Sequence, residues 1–529
     1  MAPTARNISP ANPDTQPVIG VAKAAGIISL GNVASRLLGL AREFVKADLF
    51  GATGLVSAFE VANIVPTMIF DLLVGGMISS ALVPVLSDLS SAKRNRDEFW
   101  QLISGLLSLA AVCLAAFVVL AELLAPQITW LFGARNFDDP ALWPIATDLL
   151  RVMLPAVLFL NLAGLLTGAL YSLKRFTLPA LTAAAFNACV VMAALLRPDR
   201  IDSLAWGVLA GSIIQVMLQL PRLELRRLRW RWNPKHPSLV RIIRLYIPIV
   251  LGVMISQIAI AISYNLATRT GDESVAIMRY ATTLIQFPLG LIATAVSIAI
   301  LPTLAQEAAV PKLFKTTLVQ GLRLVIVLTI PATVGLFVLA RPIVTLAFEH
   351  GDFLPAASEQ TTLALRYYLL GLPFAAVDQL LIFAFYARKN TRTPAMVGVF
   401  SVGIYLIVAL ALLKPMGLFS LMLSDSIKHM IHAGAMTALL IAQIGKAKGD
   451  ILLTIGKASL ASAIMGMLVW IASSIFPTPG GLLGRLVAVG ACGGIGLITY
   501  TLVISRLQVP EMRLLADFFR SRTGQTGQQ

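Results

Sequence analysis

A chain of 529 residues that is 57% hydrophobic and only 13% charged, with a mean hydropathy of +0.82, has too little polar surface to cover a soluble core of its size. A water-soluble globular domain is therefore excluded, and the bilayer must act as solvent. The formal net charge of +16 would suit a nucleic-acid partner, but the placement of the basic residues between apolar runs gives it a topological meaning and argues against nucleic acid.

Residues 1–20, polar and rich in Pro and Asn, read as a disordered cytoplasmic tail. They lack the short apolar core and small-residue cleavage site of a signal peptide. Apolar runs then recur, each about 20 residues long and able to cross the roughly 30 Å hydrocarbon core as a helix. Barrel strands would be near 10 residues and alternating. The runs begin near Val21, Leu55, Gln101, Trp143, Thr177, Leu204, Val240, Val275, Leu318, Thr361, Pro394, Gly417, Leu452 and Leu482. They predict an all-α, polytopic membrane protein of about fourteen transmembrane helices. Spans one to six form an N-lobe over 21–222, and spans seven to twelve a C-lobe over 239–443. The last two spans occupy 444–507, and a cytoplasmic tail follows at 508–529. Between the lobes, 223–238 reads as a basic amphipathic linker with Trp230 and Trp232, lying along the cytoplasmic interface.

Lys and Arg fall on alternate loops. Lys93, Arg94 and Arg96 follow span two, Lys174 and Arg175 span four, and Arg222, Arg226, Arg227, Arg229, Arg231 and Lys235 span six. Lys312 and Lys315 follow span eight, Arg388, Lys389 and Arg392 span ten, and Lys446 and Lys448 span twelve. The opposite loops hold single charges such as Arg135, Arg269 and Lys414. By the positive-inside rule the basic loops and both termini face the cytoplasm, where the basic residues can also grip anionic lipid headgroups.

The chain repeats itself at a spacing of roughly 215 residues. Leu166, Ala169, Tyr171, Pro179 and Ala180 match Leu381, Ala384, Tyr386, Pro394 and Ala395, and further upstream Ser79, Ala81 and Pro84 match Ser297, Ala299 and Pro302. An even number of spans per copy makes the two lobes parallel, and parallel lobes are expected to flank a central cavity that opens by rocking.

Ionisable groups inside the apolar runs mark where chemistry belongs, because each costs several kcal/mol in hydrocarbon unless it meets a cavity or a partner. Span one is the most interrupted, with Arg36, Arg42, Glu43, Lys46 and Asp48. Arg36 and Glu43 share one helical face, and Arg42 and Lys46 a neighbouring one. Guanidinium groups recognise phosphate oxygens bidentately, so Arg36 and Arg42 are candidate ligands for a diphosphate headgroup; the alternative is pairing with other helices. In span two, Glu60 and Asp71 stand out, with Asp71 placed to neutralise an arginine of span one, and Asn63, Pro66 and Gly75-Gly76 as points of bending or close packing. Arg279 in span eight is a further candidate substrate ligand, the alternative being snorkelling. In span twelve, Ser424, Asp425, Lys428, His429 and His432 stand at helical spacing, either a proton relay or an internally paired polar stripe. Asp378 in span ten is open in the same way.

Cys113, Cys189 and Cys492 lie in separate runs and read as buried small hydrophobes, not as a disulfide framework or metal cluster. There is no P-loop, zinc motif or nucleophile constellation. No catalytic residue, metal ligand or cofactor is predicted, and the chain reads as a transporter. A membrane glycosyltransferase would need carboxylates beside a large external loop, whereas ARPIVTLAFEHGDFLPAASEQ is short.

The segments SRLLGLARE, FGATGLVSAFEVANIVP, ISSALVPVLSD, QFPLGLIATAVSIAILPTLAQE and FYARKNTRTPA resemble the MviN/MurJ family of lipid II flippases, within the multidrug/oligosaccharidyl-lipid/polysaccharide exporter superfamily. The likeness runs from about Val21 to Leu440. It implies a two-lobed fold with a cationic cavity, and alternating access that carries lipid-linked peptidoglycan precursor outward across the bacterial inner membrane. It also implies that Arg36 and Arg42 are the family's first-span arginines and Glu43 their acidic neighbour. The chain departs from the pattern at Ser57, at Phe70, Asp71 and Gly75, at Ser263, and at Thr283, for which Arg279 one turn away is a substitute. With fewer cationic groups, two alternatives stand: a flippase for another polyprenyl-diphosphate glycan, or a small-molecule exporter whose cavity presents Glu60, Asp71 and Asp378. The implied partners are the lipid-linked glycan, membrane lipids, and a coupling ion or the membrane potential.

Overall fold

The computed structural model describes residues 15–75, 78, 82–91, 96–233, 236–445, 451–475 and 481–509. Gly76, Ser79, Ala81, Lys93, Arg94, Lys235, Lys446, Lys448 and the two tails, 1–14 and 510–529, lie outside the described residues. Among the described residues the chain is helical, without strands. Eleven helices are long and apolar enough to cross a membrane, or twelve if one bent pair is a single span. Two further long helices, Thr15–Phe50 and Pro237–Ala267, complete the correspondence with the segments read from the sequence. Many large apolar side chains lie on the outside, such as Leu123, Leu196 and Leu452, as expected where lipid is the solvent. This is a multi-pass helical membrane protein.

Two compact units are formed. The first comprises Met1–Val45, Ala62–Ile128 and Thr147–Met254; the second comprises Lys46–Val61, Thr129–Ala146 and Ile255–Gln529. In chain order the helices are α1 (Thr15–Phe50), α2 (Gly54–Phe70), α3 (Val83–Ser91), α4 (Arg96–Leu123), α5 (Ala125–Leu131), α6 (Leu142–Ser172), α7 (Thr177–Leu196), α8 (Asp202–Gln219) and α9 (Pro237–Ala267). They continue with α10 (Ser274–Pro288), α11 (Ala295–Glu307), α12 (Pro311–Val338), α13 (Ala340–Ala347), α14 (Pro355–Leu369), α15 (Leu372–Ala387), α16 (Arg392–Met416), α17 (Phe419–Ile444), α18 (Ile451–Ile475) and α19 (Leu482–Arg506). α1 starts upstream of Val21 because Pro17, within its first turn, lacks a donor that would have no helical acceptor there.

In the first unit, small residues let backbones approach. A Cβ on Gly31 of α1 would lie 2.2 Å from Ala180 O of α7, and Asn187 Nδ2 donates to Ser35 O one turn along, at 3.3 Å. Gly164 and Gly168 of α6 receive Val74 and Leu82 in the same way. Among its described residues the linker forms one 3-10 turn, at Leu225–Arg227, and enters α9 at Pro237. After the turn it continues extended along α4, with Arg229 N and Arg231 N donating to Ser104 Oγ and Ser108 Oγ, so the i, i+4 serines hold alternate backbone amides. Glu224 pairs with Arg96 at 2.6 Å and Arg227 at 3.0 Å, and Trp230 and Trp232 stay exposed, as an interfacial segment requires.

In the second unit, the tenth span is broken, with α14 and α15 bent by 45°. The cause is local: Pro373 sits in the first turn of α15, and Gly371 lies so close to α17 that a Cβ would meet Ser426 Cα at 2.6 Å. Ser426 Oγ donates to Tyr367 O at 2.6 Å, satisfying a carbonyl at the break. Of the cysteines, Cys492 is buried but Cys113 is exposed, against the expectation of burial; an outward thiol on a membrane helix faces acyl chains and is not penalised there.

The internal repeat is visible in backbone detail. Lys174 and Lys389 both have φ 58°, the left-handed region. Arg175 N donates to Leu170 O and Lys174 N to Tyr171 O, and Asn390 N donates to Phe385 O and Lys389 N to Tyr386 O, the same Schellman motif twice. π-helical turns also recur, at Asp71–Gly75 and Leu289–Thr294, at the spacing that relates Ser79 to Ser297. Because a lysine in the left-handed region is strained by roughly 1 kcal/mol, Lys389→Gly is expected to raise the apparent midpoint of thermal unfolding of the purified protein in detergent. An unchanged or lower midpoint would show that the lysine side chain contributes more than the strain removes.

Candidate functional site

α1 carries the charges that the sequence singles out. In the first unit, the Gly31-Ser35-Gly39 stripe faces α7, with Gly39 against Asn187. Arg36, one position round the helix from that stripe, is exposed, and among the described residues it has no hydrogen bond or ion pair. Arg42 is different. Its Nη2 lies 2.8 Å from Glu43 Oε1 and its Nε donates to the same oxygen at 3.3 Å, with the arginine 21% and the glutamate 2% exposed. Neighbours in sequence do not face each other on a helix, so Arg42 folds round its own helix to reach Glu43. Asp71 opens the π turn after α2, and no ion pair joins it to Arg36 or Arg42. The expected neutralisation of a first-span arginine by Asp71 is therefore corrected, since Glu43 already serves Arg42.

In the second unit lies a cluster of which the sequence showed only the parts. Lys46 and Glu60, 2% and 3% exposed, form an ion pair, and Arg279 Nε lies 3.7 Å from Glu60 Oε2. Lys46 Nζ also stands 5.0 Å from the Tyr280 ring centroid. Tyr280 OH donates to Gly51 O at 2.9 Å, and Ser57 Oγ accepts from Ala276 N at 3.1 Å. Ser57, a departure from the family pattern, thus ties α2 to the start of α10. Glu60 thus faces both Lys46 and Arg279, with the Tyr280 ring against the ammonium. The sequence signal was present: a lysine and a glutamate inside apolar runs each demand a partner.

Deeper in the second unit, His432 Nδ1 of α17 lies 2.5 Å from Asp378 Oδ1 of α15, while Asp425 pairs with Lys428 and stands 3.7 Å from His429 Nε2. The structure thus brings Asp378, which the sequence left open, to the polar stripe of span twelve. No group of three or more His, Cys, Asp or Glu side chains able to hold a metal ion occurs among the described residues.

A long-helix membrane fold with an internal repeat, π turns at repeated positions and buried charges within its spans defines the transporter class of membrane proteins. A family model described as "Lipid II flippase MurJ" matches residues 46–489. Similar proteins include a lipid II flippase MurJ of Burkholderia cenocepacia, 29% identical over 69% of this chain and 73% of its own, and a probable lipid II flippase MurJ of Vibrio cholerae, 32% identical over 70% and 74%. A probable lipid II flippase MurJ of Haemophilus influenzae is 29% identical over 82% of this chain and 89% of its own. Among solved structures, a lipid II flippase MurJ in an inward closed conformation superposes with a TM-score of 0.77 at 24% identity, covering 91% of this chain and 99% of that one. An inward-facing multidrug resistance transporter of the MATE family follows the same fold, with a TM-score of 0.67 at 14% identity, over 78% and 96%. The chain belongs to the lipid II flippase MurJ family.

Proposed function

We propose that this chain is a flippase that moves lipid-linked peptidoglycan precursor, lipid II, from the inner to the outer leaflet of the bacterial cytoplasmic membrane by alternating access. Membership of the family over most of the chain supports the substrate class, and the basic loops support a topology with both termini in the cytoplasm. The observation that carries the reading is Arg36: an exposed guanidinium on a membrane helix, without a described partner, is held only where an anion or water meets it. Arg36 is the primary ligand of the diphosphate in this reading, and Arg42 assists it from its pair with Glu43. In the second unit, Arg279 beside Glu60 is kept as a candidate ligand, and in the first unit Asp71 opens the π turn. The exporter reading asked for acidic side chains presented to substrate, but Glu60 is paired with Lys46 and Asp378 with His432. Both carboxylates are thereby engaged by neighbouring side chains and not presented to an organic cation.

Complementation of a flippase-depleted bacterium tests this. The wild-type chain is expected to restore growth, and Arg36→Ala to lose at least a tenfold share of viable cells, equivalent to one phosphate contact of about 1.4 kcal/mol. Arg42→Ala is expected to fall between the two. No rescue by well-expressed wild type would count against lipid II, and equal rescue by both variants would remove the phosphate assignment.

A further inference from the structure

α17 presents Asp425, Lys428, His429 and His432 at i, i+3, i+4 and i+7, hence along one face. Within the second unit, the trio nearest the start of this face is partly open: Asp425 is 26%, Lys428 25% and His429 30% exposed. His432 and Asp378, further along, are 10% and 8% exposed. His429 Nδ1 is buried and, among the described residues, has no hydrogen-bond partner. Among the described residues, tyrosines also stand around the cluster: Tyr405 of α16, whose OH donates to Ser263 Oγ of α9 at 2.8 Å, Tyr368 of α14 and Tyr264 of α9. Lys428 Nζ stands 5.9 Å from the Tyr405 ring centroid.

The charges do not balance. Two carboxylates, Asp425 and Asp378, share one ammonium, Lys428, and two imidazoles within the membrane-spanning helices, so a formal negative charge is left unless an imidazole or carboxylate takes a proton. Such a charge is costly in that setting, and one proton removes the excess. Lys428 already supplies Asp425 with a tethered cation, so a metal ion adds nothing there. His429, with one nitrogen toward Asp425 and the other unfilled, stands on the face between the open trio and the buried His432–Asp378 pair.

We propose that this cluster is a proton-binding site, filled and emptied once per transport cycle, with the proton received at Asp425 and His429 and held between His432 and Asp378. The coupling, though not the binding, rests on the flippase reading above. Proton transfer here exchanges only N–H and O–H bonds: a hydronium gives its proton to a histidine nitrogen and leaves as water, and the reverse step releases it.

The chain has four histidines, so carbon-13 histidine labelling of the full-length protein in detergent resolves each by substitution. The His432 signal is expected to change with pH, and Asp378→Asn to alter that change. His432→Gln identifies the resonance, and a matching unfolding midpoint for Asp378→Asn confirms a folded variant. In proteoliposomes holding fluorescent lipid II, an imposed pH gradient is expected to speed wild-type translocation several-fold and an imposed sodium gradient to have no effect. Asp378→Asn and His432→Gln should each abolish the response to pH. A His432 signal that does not titrate, or one indifferent to Asp378→Asn, overturns the binding site. A pH response retained in both variants, or a sodium response in the wild type, overturns the coupling. Absence of any lipid II translocation alongside a normal His432 titration overturns the flippase reading and supports the proton site alone.

Discussion

Replacing Glu60 with glutamine is expected to destabilise the protein by about 3–5 kcal/mol, the usual cost of removing one partner of a buried ion pair. Lys46, 2% exposed, then keeps the Tyr280 ring but loses the Glu60 carboxylate, which Arg279 loses as well. Lys46→Met is expected to cost less, because Arg279 still faces Glu60. The double variant Lys46→Met with Glu60→Gln should lie closer to wild type than Glu60→Gln does, since the buried ammonium has gone with its counter-charge. The measurement is the denaturant midpoint of purified protein for the two single variants and the double, read as a double-mutant cycle. If Glu60→Gln unfolds with the wild type, or the two losses simply add, the pair is not what holds α1, α2 and α10 at this point.

The same cluster shows what could be read in advance. The fold class, the long helices and the repeat were legible because a bilayer imposes one length and one polarity on every span. Thr177 and Leu482 begin helices where the sequence places them. The repeat rested on scattered identities such as Tyr171 with Tyr386, yet it extends to a shared Schellman motif at Lys174 and Lys389 that no residue type announces, since glycine is the usual occupant. The site was only half legible. Arg36, Arg42 and Arg279 were singled out as interruptions of apolar runs, but which carboxylate serves which cation depends on how helices distant in sequence are packed. Arg42 chose its chain neighbour and Arg279 chose Glu60, while Asp71 serves neither first-span arginine. The one pattern that would have oriented α1 beforehand was the small-residue stripe Gly31-Ser35-Gly39, because it fixes the face turned to α7 and, by elimination, the side on which Arg36 stands.

A second large effect is expected from Gly351→Ala. Gly351 has φ 55°, and a Cβ there would lie 2.0 Å from Asp48 O; reciprocally, Gly51 has φ 61° and its Cβ would meet Asp352 O at 2.4 Å. Two backbone segments cross at this point in the second unit, joined by Asp352 N donating to Asp48 O at 2.9 Å, with His350 Nδ1 2.9 Å from Asp48 Oδ1. Left-handed strain alone costs about 1–2 kcal/mol for a non-glycine residue. The crowding must be relieved as well, by parting the segments and losing the Asp352–Asp48 hydrogen bond, so a total near 3 kcal/mol or above is expected. Relief of the crowding has a route into the charged cluster. Phe348 and Phe353, flanking Gly351 in sequence, pack on Tyr280 at 4.8 and 5.3 Å between centroids, and Tyr280 in turn carries Lys46 on its ring and bonds Gly51 O. Gly351→Ala combined with Glu60→Gln should therefore destabilise by less than the sum of the two, as the crossing and the ion pair share Tyr280. A loss for Gly351→Ala no greater than the roughly 1–2 kcal/mol of left-handed strain would show that the crossing yields without cost, and strict additivity with Glu60→Gln would sever the link through the aromatic group.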